Sequence, residues 1–247
     1  MNILFLGYDE KDTALIHHLR LKHTVCQTSE LVDEGLEAWD CVISYGYRHI
    51  LKEEQLALCK RPPINLHISL LPYNKGAYPN FWAWYEETPH GVSIHHIDSG
   101  VDTGDIILQK ELFFNEGTTL SKSYSKLREE LEDLFVKNSD KILSYSYIPQ
   151  SQIGNGTFHY AKELPEFEGG WSQTILEIVN LINEYPNRQE YLLSIVDEIE
   201  TVRTRNNVNW MELLRIAIKS NQRDTLKVLR DINQADEAIS TLFKRFR

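Results

Sequence analysis

The sequence lacks the features of a membrane-spanning, secreted or metal-stabilised protein. No stretch approaches the roughly 18 uninterrupted apolar residues of a membrane helix, and the first residues carry neither a basic lead-in nor a small-residue cleavage site. The three cysteines are odd in number and form no CxxC pair, which disfavours a disulfide framework or a structural zinc site. We therefore expect a cytoplasmic protein with reduced thiols, no membrane contact and no bound metal.

Two glycine-rich nucleotide fingerprints are also missing. The first predicted strand ends at Gly7 and continues as Tyr8, Asp9, Glu10 and Lys11, so neither GxGxxG nor GxxxxGK[ST] follows it. Their absence disfavours a dehydrogenase or a kinase.

Positive charge is scarce. The chain has 26 Lys+Arg against 36 Asp+Glu, a net charge of −10. Proteins that bind polyphosphate chains gain affinity from Lys and Arg, so we expect no nucleic-acid partner.

Residues 201–247 differ from the rest of the chain in having more basic than acidic residues, with ten Lys+Arg and five Asp+Glu. We interpret this tail as a solvated helical segment that docks on an acidic body.

Short apolar runs alternate with helical patterns, which is typical of a largely parallel α/β sheet. The predicted strands are residues 2–7, 39–46, 64–68, 91–97 and 105–113. The predicted helices are residues 11–21, 52–60, 78–87, 120–143, 173–183 and 190–203, with two or three short helices over 208–246. Residues 150–164 are polar and turn-rich, which favours a hairpin. We predict a Rossmann-like catalytic α/β domain over residues 1–165 and a small helical C-terminal region over residues 166–247.

The residues with the most promising chemistry lie between positions 65 and 109. Asn65 and His67 are two apart on a predicted strand, so their side chains share one face, at the sheet edge where α/β proteins bind ligands. An uncharged amide donor and an imidazole that exchanges protons near neutral pH suit acyl transfer. A carboxylate of the following Gly/Asp-rich loop could orient the imidazole and accept a proton. The candidates are Asp98, Asp102 and Asp105.

Three segments, NLHISLLP, KGAYPNFWAW and GVSIHHIDSGVDTGDIILQ, resemble in order and spacing the folate-dependent formyltransferase family. Its members include methionyl-tRNA formyltransferase, glycinamide-ribonucleotide transformylase and bacterial sugar N-formyltransferases. The motifs cover roughly residues 41–112, with weaker similarity over the first 165 or so. The resemblance implies that Asn65, His67 and Asp102 are the catalytic residues and that His95 supports them.

The formyl donor of this family is 10-formyltetrahydrofolate, which the resemblance implies as the cosubstrate. Residues 45–51 and 97–102 correspond to the two loops of the family's pterin slot. The residues predicted to bind the cosubstrate are Tyr47, Arg48, His49, Ile50, Ile97 and Asp98. Core packing is the alternative for Tyr47 and Ile50.

Within the family, the acceptor amine is predicted to belong to a sugar. The acidic chain and short helical tail disfavour methionyl-tRNA, and the purine-pathway enzyme would need no such tail. KGAYPNFW and GTFHYAK resemble segments of sugar N-formyltransferases, which act on amino-deoxy sugars linked to dTDP or GDP for surface-polysaccharide (O-antigen or capsule) synthesis. The predicted contacts of the sugar or its nucleotide are Lys75, Tyr78, Asn80, Trp82 and Tyr160. Packing is the alternative for Trp82 and Tyr160.

Two other classes of function stay open at this point. A formyl-folate hydrolase would use water in place of the amine, and a noncatalytic sugar-nucleotide binding protein would keep the fold without turnover. A homodimer is compatible with the sequence.

Overall fold

The apolar runs of the sequence form a central sheet in the computed structural model. Its strands, with those of a second small sheet, are β1 (Asn2–Gly7), β2 (Thr24–Thr28), β3 (Cys41–Tyr45), β4 (Ile64–His67), β5 (Lys75–Gly76), β6 (His90–His96), β7 (Ile106–Leu112) and β8 (Phe158–His159). The central sheet has the order β2-β1-β3-β4-β6-β7. Its first four strands are parallel, while β6 is antiparallel to both β4 and β7. This mixed, mostly parallel sheet confirms the predicted α/β class.

Helices pack on both faces of the sheet. They are α1 (Leu15–Arg20), α2 (Glu53–Leu56), α3 (Pro79–Tyr85), α4 (Leu120–Leu143) and α5 (Ile175–Asn183). The buried side chains of α1 and α4 pack on those of β1, β3, β4 and β6 in the main hydrophobic core. The predicted stripe of α4 faces this core: Leu127, Leu131 and Phe135 are buried and Leu134 is partly buried. Across the part of the chain that the structure describes, no helix is long and apolar enough to cross a membrane.

The opposite face of the sheet carries the polar residues of interest. Successive side chains of a strand alternate between faces, so Ile64 and Leu66 of β4 enter the main core while Asn65 and His67 point away from α4. A smaller apolar cluster lies on this second face, formed by Leu4, Leu6, Leu36, Val42 and Leu51. The alternation therefore separates the stabilising core from the candidate site.

Two elements differ from the sequence-based prediction. The edge strand β2 was not predicted, because its residues TVCQT are exposed or only partly buried and have no continuous apolar run. The hairpin predicted over residues 150–164 is wrong. Gln150 instead bridges to Ile106, and β8 pairs in parallel with β5, since the partners of this segment lie elsewhere in the chain.

The structure describes residues 1–183 except Glu116 and Glu168, together with Asp197, residues 200–204 and Ile239. The chain divides into two compact units, Met1–Val179 and Asn180–Arg247. The described residues of the predicted helix 190–203 are helical, as is Ile239. The rest of the helices predicted over 208–246 lies outside the described residues. The predicted domain boundary at residue 165 stays a prediction.

Candidate active site

Asn65, His67 and Asp102 meet at the end of β4. The Asn65 Nδ2 atom donates a hydrogen bond to Asp102 Oδ1 at 3.0 Å. The His67 Nδ1 atom lies 3.7 Å from Asp102 Oδ2. The side chains of His67 and Asp102 are 10% and 11% exposed, so their charges interact through little water and are still reachable. The structure thus brings together the three residues that the resemblance selected.

Asp102 is held in place by groups from distant parts of the chain. Its backbone is in the left-handed region, with φ of 53°. The backbone N–H of Gly76 in β5 donates to Asp102 Oδ2 at 2.8 Å. Gln152 Nε2 donates to the Asp102 and Gly104 carbonyl oxygens at 2.8 and 2.9 Å. These contacts fix the carboxylate against the face of β4.

His95 supports Asn65 from the neighbouring strand. The two residues are paired in the β4–β6 register. His95 Nδ1 lies 2.7 Å from the His96 carbonyl oxygen, which only accepts, so Nδ1 carries the hydrogen. In the neutral ring Nε2 is then an acceptor, and Asn65 Nδ2 donates to it at 3.1 Å. This bond directs the NH₂ end of the Asn65 amide toward Asp102.

The charge of Asp102 is stabilised by its surroundings. Burial raises the pKa of its carboxyl, but the opposing effects, of which the charge of His67 is the largest, are together larger, so the pKa lies well below its ordinary range. Asp102 is therefore an ionised proton acceptor at neutral pH.

Among the described residues, no group of three or more His, Cys, Asp or Glu side chains is placed to hold a metal ion.

The two competing carboxylates have other positions. Asp98 accepts hydrogen bonds from the Gly100 N–H at 3.1 Å and from Thr103 Oγ1 at 2.5 Å, so it closes the loop that presents Asp102. Asp105 is exposed at the far end of that loop. Asp102 is the carboxylate that contacts both Asn65 and His67.

The residues predicted to bind the cosubstrate divide into packed and exposed side chains. The Tyr47 hydroxyl donates to the Glu30 carbonyl at 2.9 Å and accepts from the Val32 N–H at 3.1 Å, and its ring packs on the smaller apolar cluster. Ile97 packs on the same cluster. The exposed side chains are those of Arg48, His49 and Ile50. Tyr47 thus has a structural role whether or not a ligand touches it.

The backbone of the first loop is free to bind a polar ring. Within the described chain, the N–H and C=O groups of residues 47–51 form no hydrogen bonds with other backbone groups. A pterin presents donors and acceptors along its edge, and unpaired backbone groups beside an apolar cluster match that chemistry. The first loop therefore has free backbone groups of the kind that the predicted folate ring needs.

Three of the predicted substrate residues lie at or near the surface beside β5. Lys75 precedes Gly76, whose N–H contacts Asp102, and Tyr78 follows two residues later. The Tyr78 ring is 42% exposed and stacks on Trp171, with 5.9 Å between ring centroids. Tyr160 follows β8, the partner of β5, and is 57% exposed. These side chains are accessible to a ligand that reaches Asp102.

The other two predicted substrate residues are buried in α3. Asn80 Nδ2 donates to the Leu120 carbonyl at 2.9 Å, and Asn80 Oδ1 accepts from Ser123 Oγ at 2.8 Å, which links α3 to α4. The Trp82 ring stacks on His159 at 4.0 Å between centroids. Both positions match structural roles better than contact with a substrate.

Sequence reasoning missed several residues of the site. Gly76 acts through its N–H, which binds Asp102, and Asn74 acts through its carbonyl oxygen, which lies 3.1 Å from His67 Nε2. Backbone atoms leave no signature in residue type. Gln152 lies in the segment interpreted as a hairpin, and Trp171 lies past the predicted domain. Only proximity in the folded chain identifies them.

Comparison with known proteins establishes the family. The model of the formyl transferase family matches residues 10–138. Methionyl-tRNA formyltransferase of Thermodesulfovibrio yellowstonii is 34% identical over 192 residues, which cover 73% of this chain and 61% of that protein. The chain thus spans less than two thirds of the length of this curated relative. It belongs to the formyl transferase family, and the family predicted from the motifs is confirmed.

Solved structures of formyltransferases are also similar to this chain. The formyltransferase PseJ from Anoxybacillus kamchatkensis, in complex with UDP-4,6-dideoxy-4-formamido-L-AltNAc and tetrahydrofolate, is 36% identical with a TM-score of 0.66. The match covers 72% of this chain and 97% of PseJ. A 4-N formyltransferase from Francisella tularensis is 19% identical with a TM-score of 0.60, over 66% of this chain and 77% of that one, and so shares the fold.

Proposed function

We propose that this protein transfers the formyl group of 10-formyltetrahydrofolate to the amine of a nucleoside-diphosphate amino sugar. The observation that carries the proposal is the meeting of Asn65, His67 and ionised Asp102 beside an accessible surface. An amide donor, an imidazole and a carboxylate are the groups that acyl transfer to an amine needs. The similarity to PseJ, whose complex contains tetrahydrofolate, supports a folate donor.

The sequence-based prediction named dTDP or GDP as the nucleotide, and the similarity to PseJ favours UDP. PseJ is bound to a UDP sugar whose formamido group is at position 4, and the match extends over 97% of its chain. The acceptor proposed here is therefore a UDP-linked 4-amino-4,6-dideoxy sugar. Surface-polysaccharide synthesis, a cytoplasmic location and a homodimer stay predictions.

The cosubstrate supplies the formyl carbon and, after transfer, leaves as tetrahydrofolate. When the cosubstrate is bound, the Nδ2 hydrogen that Asn65 otherwise gives to Asp102 Oδ1 is donated to the carbonyl oxygen as that oxygen gains negative charge, while the other stays on His95. His67 in its protonated form stabilises the same charge. Asp102 takes a proton from the attacking amine, directly or through one water. A new bond joins the amine nitrogen to the formyl carbon, the bond from that carbon to the folate nitrogen breaks, and that nitrogen regains a proton.

The sugar nucleotide lies along β5 and the start of α3 in this proposal. Lys75 and Tyr78 flank the Gly76 N–H that binds Asp102, so a sugar amine at Asp102 has both side chains within reach. Tyr160 on the adjoining segment widens the same surface. Asn80 and Trp82 stay part of the scaffold. We expect Lys75→Ala to raise the KM for the sugar nucleotide more than it lowers kcat.

Purified protein should be incubated with 10-formyltetrahydrofolate and a panel of UDP-, dTDP- and GDP-linked amino sugars, with products identified by mass spectrometry. A formamido sugar is the expected product, with the UDP 4-amino sugar turned over fastest. Formate released without a sugar would establish a hydrolase, and sugar binding without product would establish a binding protein.

Substitutions test the residue assignments. Asn65→Ala, His67→Ala and Asp102→Asn should each lower kcat by about a hundredfold or more, because each removes a group that acts in the transition state. Asp105→Asn is the matched control, an exposed carboxylate of the same loop, and should retain near-normal kcat. Near-normal rates in all three site variants would refute the catalytic assignment.

A further inference from the structure

His67 is bound on both sides by hydrogen-bond acceptors. Its Nε2 atom lies 3.1 Å from the carbonyl oxygen of Asn74, which only accepts, so Nε2 carries a hydrogen. Its Nδ1 atom faces Asp102 Oδ2 at 3.7 Å. These two contacts determine the direction of the imidazole ring. The ring of His95 in β6 lies nearby, with 6.2 Å between the two ring centroids.

The Asn74 carbonyl is held in one direction by Thr157. Asn74 is fully buried, with φ of 56° in the left-handed region. Its N–H donates to Thr157 Oγ1 at 2.8 Å, and the same hydroxyl donates to Asn74 Oδ1 at 3.1 Å. The Asn74 Nδ2 atom donates to Thr88 Oγ1 at 2.8 Å. One threonine hydroxyl therefore binds both the backbone and the side chain of Asn74.

Thr157 is itself fixed against the turn that it supports. Its carbonyl accepts from the Lys75 N–H at 3.0 Å, and its N–H donates to the Pro72 carbonyl at 3.3 Å. The preceding Gly156 has φ of 61°, and a Cβ there would lie 1.9 Å from the Pro72 carbonyl oxygen. Only glycine allows this approach. The segment that contains Thr157 thus lies directly against the turn after β4.

We propose that Thr157, acting through Asn74, is a positioning residue for formyl transfer. It keeps the Asn74 carbonyl on His67 Nε2, which fixes the direction of the ring and turns Nδ1 toward Asp102 and the reacting carbonyl. The proposal rests on the catalytic role of His67 given above. Thr157 makes no contact with the reacting atoms, so its effect is on the direction of the imidazole.

The test compares Thr157→Val, which removes the hydroxyl at nearly constant volume, with Thr157→Ser, which keeps it. Loss of the hydroxyl frees the Asn74 carbonyl to turn, so His67 Nε2 loses the acceptor that directs the ring. The KM values for the folate donor and the sugar nucleotide should stay within about twofold of the wild type in Thr157→Val, because the group that is displaced acts in the transition state. At neutral pH kcat should fall by about tenfold, part of the contribution of a positioned acid. Thr157→Ser should follow the wild type.

Thr118→Val is a control for loss of a threonine hydroxyl, since Thr118 Oγ1 bonds to Asn115 Oδ1 in an exposed loop. A Thr157→Val enzyme with the wild-type kcat would overturn the inference. So would a lower kcat accompanied by a comparable rise in KM, because that pattern indicates damage to the binding surface and not a misdirected imidazole. Retained activity in His67→Ala would instead remove the catalytic role on which the inference rests.

A second measurement does not depend on how the variant folds. In the wild-type enzyme labelled with ¹⁵N-histidine, NMR should show that the neutral form of His67 carries its hydrogen on Nε2, the nitrogen that faces the Asn74 carbonyl. A neutral His67 with its proton on Nδ1 would contradict the Asn74 contact and overturn the inference.

Discussion

His90, at the start of β6, is an ionisable residue whose burial affects stability. Its ring lies between Trp84 and Phe114, with centroid distances of 4.5 and 5.3 Å. Its Nδ1 atom is buried with no hydrogen-bond partner among the described residues. Burial lowers the pKa of His90 to about 4, because the charged ring would lose water without gaining a partner. Between these two pKa values, His90 is therefore protonated in the unfolded chain and neutral in the folded protein.

The free energy of unfolding should fall as pH drops from about 6.5, where an unfolded histidine titrates, to about 4. For a partly solvated ring we expect a loss on the order of 1–2 kcal/mol. His90→Phe should remove this pH dependence, and His17→Gln, at an exposed position of α1, should retain it. Urea unfolding at several pH values measures the effect. Equal slopes against pH in wild type and His90→Phe would contradict it.

The sequence predicts side chains of the site better than backbone atoms. The spacing of Asn65 and His67 was enough to place them on one face, and the motif resemblance selected Asp102 among three carboxylates. Asn74 and Gly76 contribute a carbonyl and an N–H, which every non-proline residue has. Their roles depend on the path of the chain after β4 and leave no pattern in residue type.

At the scale of elements, the small sheet of β5 and β8 connects the surface that carries Lys75, Tyr78 and Tyr160 to the Asp102 carboxylate. Each strand has two residues, yet the Gly76 N–H of β5 binds Asp102. Gly76 has φ of 85°, and a Cβ there would lie 2.3 Å from the His159 carbonyl oxygen. A side chain at this position forces β5 and β8 apart and withdraws the N–H from Asp102.

Gly76→Ala should therefore lower kcat by about tenfold or more, since Asp102 loses a donor that stabilises its charge and position. It should also destabilise the fold by about 1–3 kcal/mol through strain and steric overlap. Gly154→Ala is the matched control, because Gly154 has φ of 92° but no atom within 4 Å of the position that a Cβ would take. It should lose some stability and keep its kcat. Steady-state kinetics with thermal melts distinguish the two, and equal kcat values would contradict the role of Gly76.

Long, strongly patterned elements were predictable from sequence, and short ones were not. The bounds of β1 and α4 were predicted as observed, because continuous burial and a helical stripe specify them. The strands β2, β5 and β8 were not predicted, since an edge strand and two-residue strands have too few buried side chains to show a period. Their pairing is determined by partners far away in the sequence.

At the scale of the whole molecule, the net charge is an argument for a small sugar nucleotide and against tRNA as the acceptor of the formyl group. The chain has a net charge of −10, although residues 201–247 hold a local excess of five positive charges. Binding of tRNA depends on neutralising many phosphates, and that contribution is largest at low salt. A nucleoside-diphosphate sugar carries two phosphates, which a few cationic groups can balance. Charge therefore favours the small acceptor, even though a curated relative at 34% identity is a methionyl-tRNA formyltransferase.

Methionyl-tRNA should accordingly be neither a substrate nor a competitor. With 10-formyltetrahydrofolate present, we expect no formyl-methionyl-tRNA under conditions in which a methionyl-tRNA formyltransferase, used as positive control, reacts to completion. Added tRNA should leave sugar formylation unchanged at about 50 mM salt, where phosphate contacts are strong, as well as at about 200 mM. Inhibition at the lower salt concentration that disappears at the higher one would reveal a cationic tRNA surface and would return methionyl-tRNA to the candidate acceptors.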